Sequence, residues 1–269
     1  MKLDPLSLDL YDAKTIKVLK SKFEELAKRK RIKVSGLKLI SVGTNAKTIK
    51  GDGSEFLTAI MYLAPADTVK GMNNCAFAGI ARCKEPCLFK SGQAKVFPNI
   101  NKARIRKTIL LRDHKDTFLN MLRADLKRFQ AYCDKRGIKA CVRLNGTSDI
   151  QWENDGIMSE FPNIQFYDYT KIVTRFRKSK PMPVNYHLTL SYSGANANFA
   201  KKVLATQKRT GCNVAVVWRT KDVIPKTFHG IKVVDGDSTD LRFTDERNVI
   251  VSLYAKGDAK KDQSGFVID

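Results

Sequence analysis

Seven short apolar segments, each running into polar residues, constrain this chain more than any other feature. They are Phe56–Ala64, Lys139–Leu144, Asn163–Phe166, Tyr186–Leu190, Asn213–Trp218, Ile231–Val234 and Val249–Tyr254. Apolar runs this short, bounded by turn residues, read as buried β-strands. Helical spacing appears between them. Asp116–Arg136 carries Phe118, Leu122, Leu126 and Phe129 on one stripe and stops at Gly137, and Ala197–Thr210 stops at Gly211. Strands alternating with helices predict an α/β fold with a parallel sheet. Seven or eight such strands in 269 residues predict an irregular or partial (β/α) TIM-like barrel, whose sites collect at the carboxyl ends of the strands. No clear helix separates Arg219 from Ile231 or Asp237 from Val249, so the barrel is expected to be incomplete.

A single domain over 1–269 is predicted, with 1–45 as an N-terminal helix and strand and 46–269 as the barrel-like core. Ile16, Leu19, Phe23 and Leu26 make one apolar stripe along a helix over Asp12–Lys33, and Gly36–Val42 reads as a strand.

The first strand of the core leads into Met72–Phe89, where Cys75, Cys83 and Cys87 are spaced C-x7-C-x3-C. Three thiols in one polar loop containing glycine and proline suggest a metal cradle. Thiolates select zinc or iron–sulfur clusters over hard cations. The loop holds no histidine, so the fourth position comes from elsewhere or stays open, as in catalytic metal sites. The spacing is not that of a zinc ribbon or finger. Redox-active or incidental thiols are the alternative, because free cysteine often packs as a small hydrophobe. Cys133 and Cys141 are expected to pack in that way.

The formal net charge of +22 points to a polyanionic partner, nucleic acid before an anionic membrane. No apolar run approaches the ~18 residues a membrane span needs. The start, MKLDPLSLDL, lacks the apolar core of a secretory signal. A cytoplasmic protein with reduced thiols is expected, which favours metal over disulfides. Lys28, Arg29, Lys30 and Arg31 lie in a basic run at the end of the first helix. Lys102, Arg104, Arg106 and Lys107 form a second group. Lys171, Arg175, Arg177 and Lys178 surround Phe176 in a third. Cations interleaved with an aromatic suit single-stranded DNA or another nucleic acid, with phosphates on Lys/Arg and a base on the ring. Helix capping and solvated loops are the rival readings. The loop Gly43–Gly53 is glycine-rich but lacks P-loop spacing.

The strand ends supply the remaining candidates. Asn145, Gly146, Thr147 and Ser148, with Ser191, are placed to hold a cofactor beyond the strands, although Asn-Gly and Ser-Asp also suit a plain turn. Asp149, Asp168, Tyr169, Asp235, Asp237 and Lys256 are the candidate catalytic groups.

The run KACVRLNGTSDIQWE, with FPNIQFYDYTK, NYHLTLS and a C-terminal AKG…SGFVID, resembles a family of phage-encoded proteins of uncharacterised function, from about Val42 to Asp269. That resemblance implies a bacteriophage or mobile-element origin, hence a bacterial host cytoplasm. A strand feeding a three-cysteine loop is also similar, in architecture, to radical S-adenosylmethionine enzymes. There three thiolates hold a [4Fe-4S] cluster and one iron takes the cofactor, so the likeness implies S-adenosylmethionine as a possible second cofactor. That family spaces its cysteines C-x3-C-x2-C, and Cys75, Cys83 and Cys87 depart from it in both gaps.

Three functions follow. The first is a phage nucleic-acid-binding protein carrying a cysteine-ligated iron–sulfur cluster, or zinc. The second is an iron–sulfur enzyme of the radical type. The third is a metal-dependent DNA nuclease or nickase, with Asp149, Asp168, Asp235 and Asp237 on Mg²⁺ and Tyr167 or Tyr169 as nucleophile. His114, His187 and His229 form no His-x-His pair, which removes the common histidine-metal nicking signature.

Overall fold

The strand register sets the architecture. In a computed structural model that describes Gly36 and residues 38–42, 55–87, 93–177, 179 and 181–269, nearly every strand pairs with a parallel neighbour. The strands are β1 (Ile40–Val42), β2 (Phe56–Met61), β3 (Lys139–Arg143), β4 (Ile164–Thr170), β5 (Tyr186–Ser191), β6 (Val214–Trp218), β7 (Thr227–Phe228), β8 (Ile231–Asp235), β9 (Ile250–Tyr254) and β10 (Val267–Ile268). They form one ten-stranded sheet in the order β1-β2-β3-β4-β5-β6-β9-β8-β7, and β10 pairs β6 beside this path. The β1–β2 and β7–β8 pairs are antiparallel and the others parallel. The described residues form one compact unit.

The mixed α/β fold with a mostly parallel sheet is as expected, and the sheet does not close into a barrel. Its order has two ends, β1 and β7, and no strand pairing among the described residues joins them. The cause lies in the connections that lack helices. The chain after β6 turns directly into the β7–β8 hairpin, and between β8 and β9 it makes only the 3₁₀ turn Arg242–Thr244. That turn folds over the inner face of the sheet. Phe243 meets Phe56 of β2 and Tyr167 of β4 edge-on, at 5.1 and 5.3 Å between ring centres, and Leu241 packs with Cys141 of β3. Side chains cover the face that strand closure would otherwise have buried.

The other face takes helices. Helix α1 (Gln93–Val96) and helix α2 (Pro98–Asp113) precede α3 (Lys115–Asp134); α4 (Ile157–Glu160) and α5 (Ala197–Thr210) follow. In α3 the predicted stripe of Phe118, Leu122, Leu126 and Phe129 is fully buried, at about 1.5–3 kcal/mol per side chain. The buried Asp125 carboxylate of the same helix accepts the Lys38 and Leu39 amides at 2.9 and 2.7 Å, fixing the entry to β1. Helix α5 starts at Asn196, whose side chain accepts the Phe199 amide at 2.9 Å, and ends at Gly211 with φ 64°. Its Phe199, Ala200 and Val203 pack on Leu190, Val214, Val216 and Ile250. Helix α2 had no apolar periodicity to reveal it. Pro98 starts it, and Arg104, Thr108 and Leu111 are its buried residues.

Strand β10 has a consequence for the site. β5 pairs only with the first half of β6, at Leu190↔Val214 and Ser191↔Ala215, while β10 takes the second half, at Val267↔Val217 and Ile268↔Trp218. The C-terminal segment is therefore wedged between the carboxyl ends of β5 and β6. No helix among the described residues is long and apolar enough to cross a membrane. The predicted helix over Asp12–Lys33 with Lys28, Arg29, Lys30 and Arg31, the loop Gly43–Gly53, and Lys178 lie outside the described residues.

Candidate metal centre at the strand ends

The cysteine loop leaves β2 as a series of turns held from three sides. Within it, the Ala78 amide donates to the Cys75 carbonyl, Ala81 to Phe77 and Cys83 to Ala78, at 3.0–3.2 Å. Asn74, almost fully buried, donates from its side chain to the Ala64 carbonyl at 2.7 Å and from its amide to the Ala66 carbonyl at 3.0 Å. From the loop just after β5, the Ser193 hydroxyl donates to the Ala81 carbonyl at 2.8 Å.

The third support is the Asn145–Asp149 turn after β3. The Gly146 amide donates to the Met61 carbonyl at 3.0 Å, the Thr147 hydroxyl to the Leu63 carbonyl at 2.5 Å, and the Asp149 amide to the Asn74 carbonyl at 2.7 Å. The Cys75 thiol points back at the Thr147 carbonyl, 3.8 Å away. Asn145 organises the turn itself. Its side-chain oxygen accepts from Ser148 Oγ, the Ile150 amide and Trp152 Nε1, and its side-chain nitrogen donates to the Ile150 carbonyl and to Asp168. The turn proposed from sequence to hold a cofactor thus spends these polar groups on bracing the cysteine loop.

Cys75, Cys83 and Cys87 are half-buried, and none of the six cysteines is in a disulfide. Cys75 is pushed up to about 12, first by burial and then by the neighbouring Cys87, Asp149 and Cys83. Lys171, the first residue after β4, shares this environment. Its ammonium donates to Ser191 Oγ at 3.1 Å and stands 5.3 Å over the Phe266 ring. Burial pulls it down, but Cys83, Asp149, Cys75 and Cys87 outweigh that and hold Lys171 above its ordinary value. The Asp149 carboxylate fixes the Lys171 backbone by accepting its amide at 2.7 Å. Among the described residues no three His, Cys, Asp or Glu side chains are gathered closely enough to hold a metal ion. Cys133 and Cys141 are fully buried in the core.

The other candidate catalytic groups are dispersed. Asp168 lies inside β4 rather than beyond it. It is fully buried and accepts the Asn145 amide at 2.9 Å and the Tyr186 hydroxyl at 3.0 Å. Burial raises it to about 6 despite Arg143, Asn145, Tyr186 and Arg175. Tyr169 is on the opposite, inner face, where burial pushes its hydroxyl up and Asp240 adds to it. Asp235 ends β8 and accepts the Asp237 amide at 2.8 Å, while Asp237 pairs with Lys256 at 2.5 Å. Asp149, Asp168, Asp235 and Asp237 are not brought together as the four-carboxylate Mg²⁺ site would require.

The basic segments also divide. Arg104 is buried, with its guanidinium 4.8 Å over the Tyr62 ring. Lys107 donates to the Leu39 carbonyl at 3.1 Å, and burial lowers it to about 8. Arg175 is fully enclosed by Glu153, Asp149 and Tyr186. Phe176 packs against the core beside α5. Lys102, Arg106 and Arg177 are the members that face solvent.

Sequence reasoning missed the bracing partners Asn74, Ser193 and Phe266, which carry no motif. It also missed Arg143 and Arg242, buried beside Asp240 and Asp245 at 2.7 and 3.3 Å. An arginine inside the apolar run KACVRL was the available signal for the first.

An α/β protein with a three-cysteine loop braced at the carboxyl ends of a mostly parallel sheet is the class these features define. The chain belongs to the Gene product 88 family, whose profile matches residues 37–269, and the match supports the resemblance to phage gene products. No curated protein and no solved structure matches it.

Proposed function

We propose that this is a phage metalloprotein in which Cys75, Cys83 and Cys87 ligate a soft metal centre, an iron–sulfur cluster first and zinc second, in a protein that binds nucleic acid. One observation carries the reading. Three thiols of a single braced loop share an environment with the Lys171 ammonium. Three thiolates, a doubly positive metal core and one ammonium sum to zero formal charge, so Lys171 offsets the charge that the loaded thiolates would carry. Without metal the raised Cys75 keeps its proton, and loading must release it. The donor set is all sulfur, which suits iron–sulfur or zinc and not Mg²⁺ or Ca²⁺. An iron–sulfur cluster would supply electron transfer, and zinc would supply structural linkage or Lewis acidity. The chain's own part is to hold the loop from the segments after β3 and β5 and to balance its charge with Lys171. The +22 charge supports the nucleic-acid partner, contacted through exposed cations such as Lys102, Arg106 and Arg177.

An enzyme of the iron–sulfur type is the second reading. It is favoured by the three-ligand count, which leaves one metal position for S-adenosylmethionine or another ligand beside Lys171 and Ser191.

Anaerobic purification with iron, sulfide and zinc analysis tests the first reading. Stoichiometric iron with acid-labile sulfide and a broad visible absorbance, lost in C75S, C83S and C87S but kept in C212S, is the expected result. Absence of both metals after reconstitution overturns it. Binding or reductive cleavage of S-adenosylmethionine by the loaded protein separates the second reading from the first.

A further inference from the structure

Beneath the cysteine loop, the inner face of the sheet holds a buried polar group that the proposed centre does not use. Tyr169 and Thr189 are register partners on β4 and β5. They lie two residues before Lys171 and Ser191, on the same side of the strands and about 6–7 Å deeper. Arg143 of β3 stands with its guanidinium 5.1 Å over the Tyr169 ring and donates to Asp240 at 2.7 Å. Arg242 reaches the same face from the 3₁₀ turn, beside Asp245.

Besides His187 Nε2 and the Arg242 Nη1–Asp245 Oδ2 ion pair at 3.3 Å, five polar atoms here are buried without a hydrogen-bond partner among the described residues: the Tyr169 and Thr189 hydroxyls, Arg143 Nε, Arg242 Nε and Asp240 Oδ1. Thr189 and Arg242 are 0% exposed, Asp240 2% and Arg143 8%. Buried polar groups are nearly always paired, because an unmade bond there forfeits the whole cost of desolvation. Four of the five can donate and one accepts only. The matching ligand is rich in acceptors, with a single donor for Asp240. An oxyanion suits two guanidinium N–H groups and two hydroxyls, and a neighbouring hydroxyl on the ligand suits the carboxylate.

We propose that this inner face binds a small molecule through an oxyanion, phosphate or carboxylate, held by Arg143, Arg242, Tyr169 and Thr189 with Asp240 accepting from it. The site is built from β3, β4, β5 and the 3₁₀ turn and needs no metal, so it fails or holds separately from the cysteine centre.

Thermal unfolding of protein freed of metal by chelation tests it, with inorganic phosphate in one arm and glycolate in the other, each at ionic strength matched with chloride. A saturable upward shift in one arm identifies which oxyanion is taken. Y169F and T189V remove only the unpaired hydroxyls. Each is expected to fold with stability at or above that of the parent, and to weaken the apparent affinity roughly tenfold, the equivalent of one good hydrogen bond. The double variant K102A/R106A removes exposed cations and is expected to keep the shift, which separates the inner face from loose binding to a basic surface. A shift unchanged in both Y169F and T189V, or no shift beyond chloride in either arm, overturns the proposal.

Discussion

The Gly146 amide donates to the Met61 carbonyl at 3.0 Å, joining the turn after β3 to the end of β2, from which the chain runs on to the cysteine loop. A Cβ at Gly146 would stand 2.7 Å from Ile60 Cγ2 and Tyr62 Cδ1 and 2.8 Å from the Met61 carbonyl oxygen. One of the three is backbone and cannot give way cheaply. G146A is therefore expected to destabilise by ~2 kcal/mol, as overpacking does, or ~4–8 °C in melting temperature. It should also lower metal retention, because the same contact positions the thiol loop. Calorimetry with metal analysis checks both.

Cys75 should be unreactive in metal-free folded protein. With its thiol raised to about 12 by burial, the thiolate fraction stays small through neutral and mildly alkaline pH. Mass-resolved iodoacetamide labelling at Cys75 should keep accelerating beyond the ordinary cysteine range and reach an ordinary profile only in urea. A native rate that levels off near the unfolded value would refute this.

Asp168 makes stability fall as pH rises over a defined window. Its folded value of about 6 exceeds the ordinary 3.8, so the native state binds the proton more tightly. The native advantage is present below the ordinary value, is lost as pH climbs through about 6, and the penalty is constant above that. D168N cannot ionise. Relative to it, the parent should lose up to about 3 kcal/mol across this window. Urea titrations of both proteins at several pH values give the difference directly.

His187 tilts the other way. Burial, with Arg242 and Arg247 nearby, lowers it to about 4. The unfolded chain then binds the proton first, and stability falls as pH drops from the ordinary 6.5 towards about 4. H187Q should flatten that acid limb while leaving stability near neutrality within about 1 kcal/mol.

Arg175 and Arg106 should behave as opposites. R175M strands Glu153 and Asp149 in the interior and should cost ~3–5 kcal/mol. R106A removes an exposed cation and should change stability by no more than about 0.5 kcal/mol. If nucleic acid binds there, R106A should lower the salt slope of binding by about 1. Denaturant curves and salt-dependent fluorescence anisotropy with single-stranded DNA distinguish the two roles.

The strands were legible because apolar runs in a parallel sheet are continuous, and Tyr186, Ile231 and Trp218 bound observed strands where the sequence put them. The stripe on α3 and the glycine stops were legible for the same local reason. Helix α2 was not, since its inward residues include Arg104 and Thr108, and Arg104 is buried through its stem and its stacking on Tyr62. The lack of closure was legible in the two helix-free connections, but what covers the inner face was not. That cover is a turn whose Phe243 finds Phe56 and Tyr167 from 187 and 76 residues away in sequence.

For the site, sequence alone determined that three thiols share one loop after a buried strand, that the chain is strongly basic, and that a polar turn follows β3. Tertiary structure decided what those groups do. It turned the Asn145–Asp149 turn into a brace, drew Lys171 and Arg175 inside, and put Asp168 in a strand interior. The physical reason is that periodicity records which faces meet the core, whereas the partner of a buried charge is chosen by strand register and loop path, which couple residues far apart in the chain.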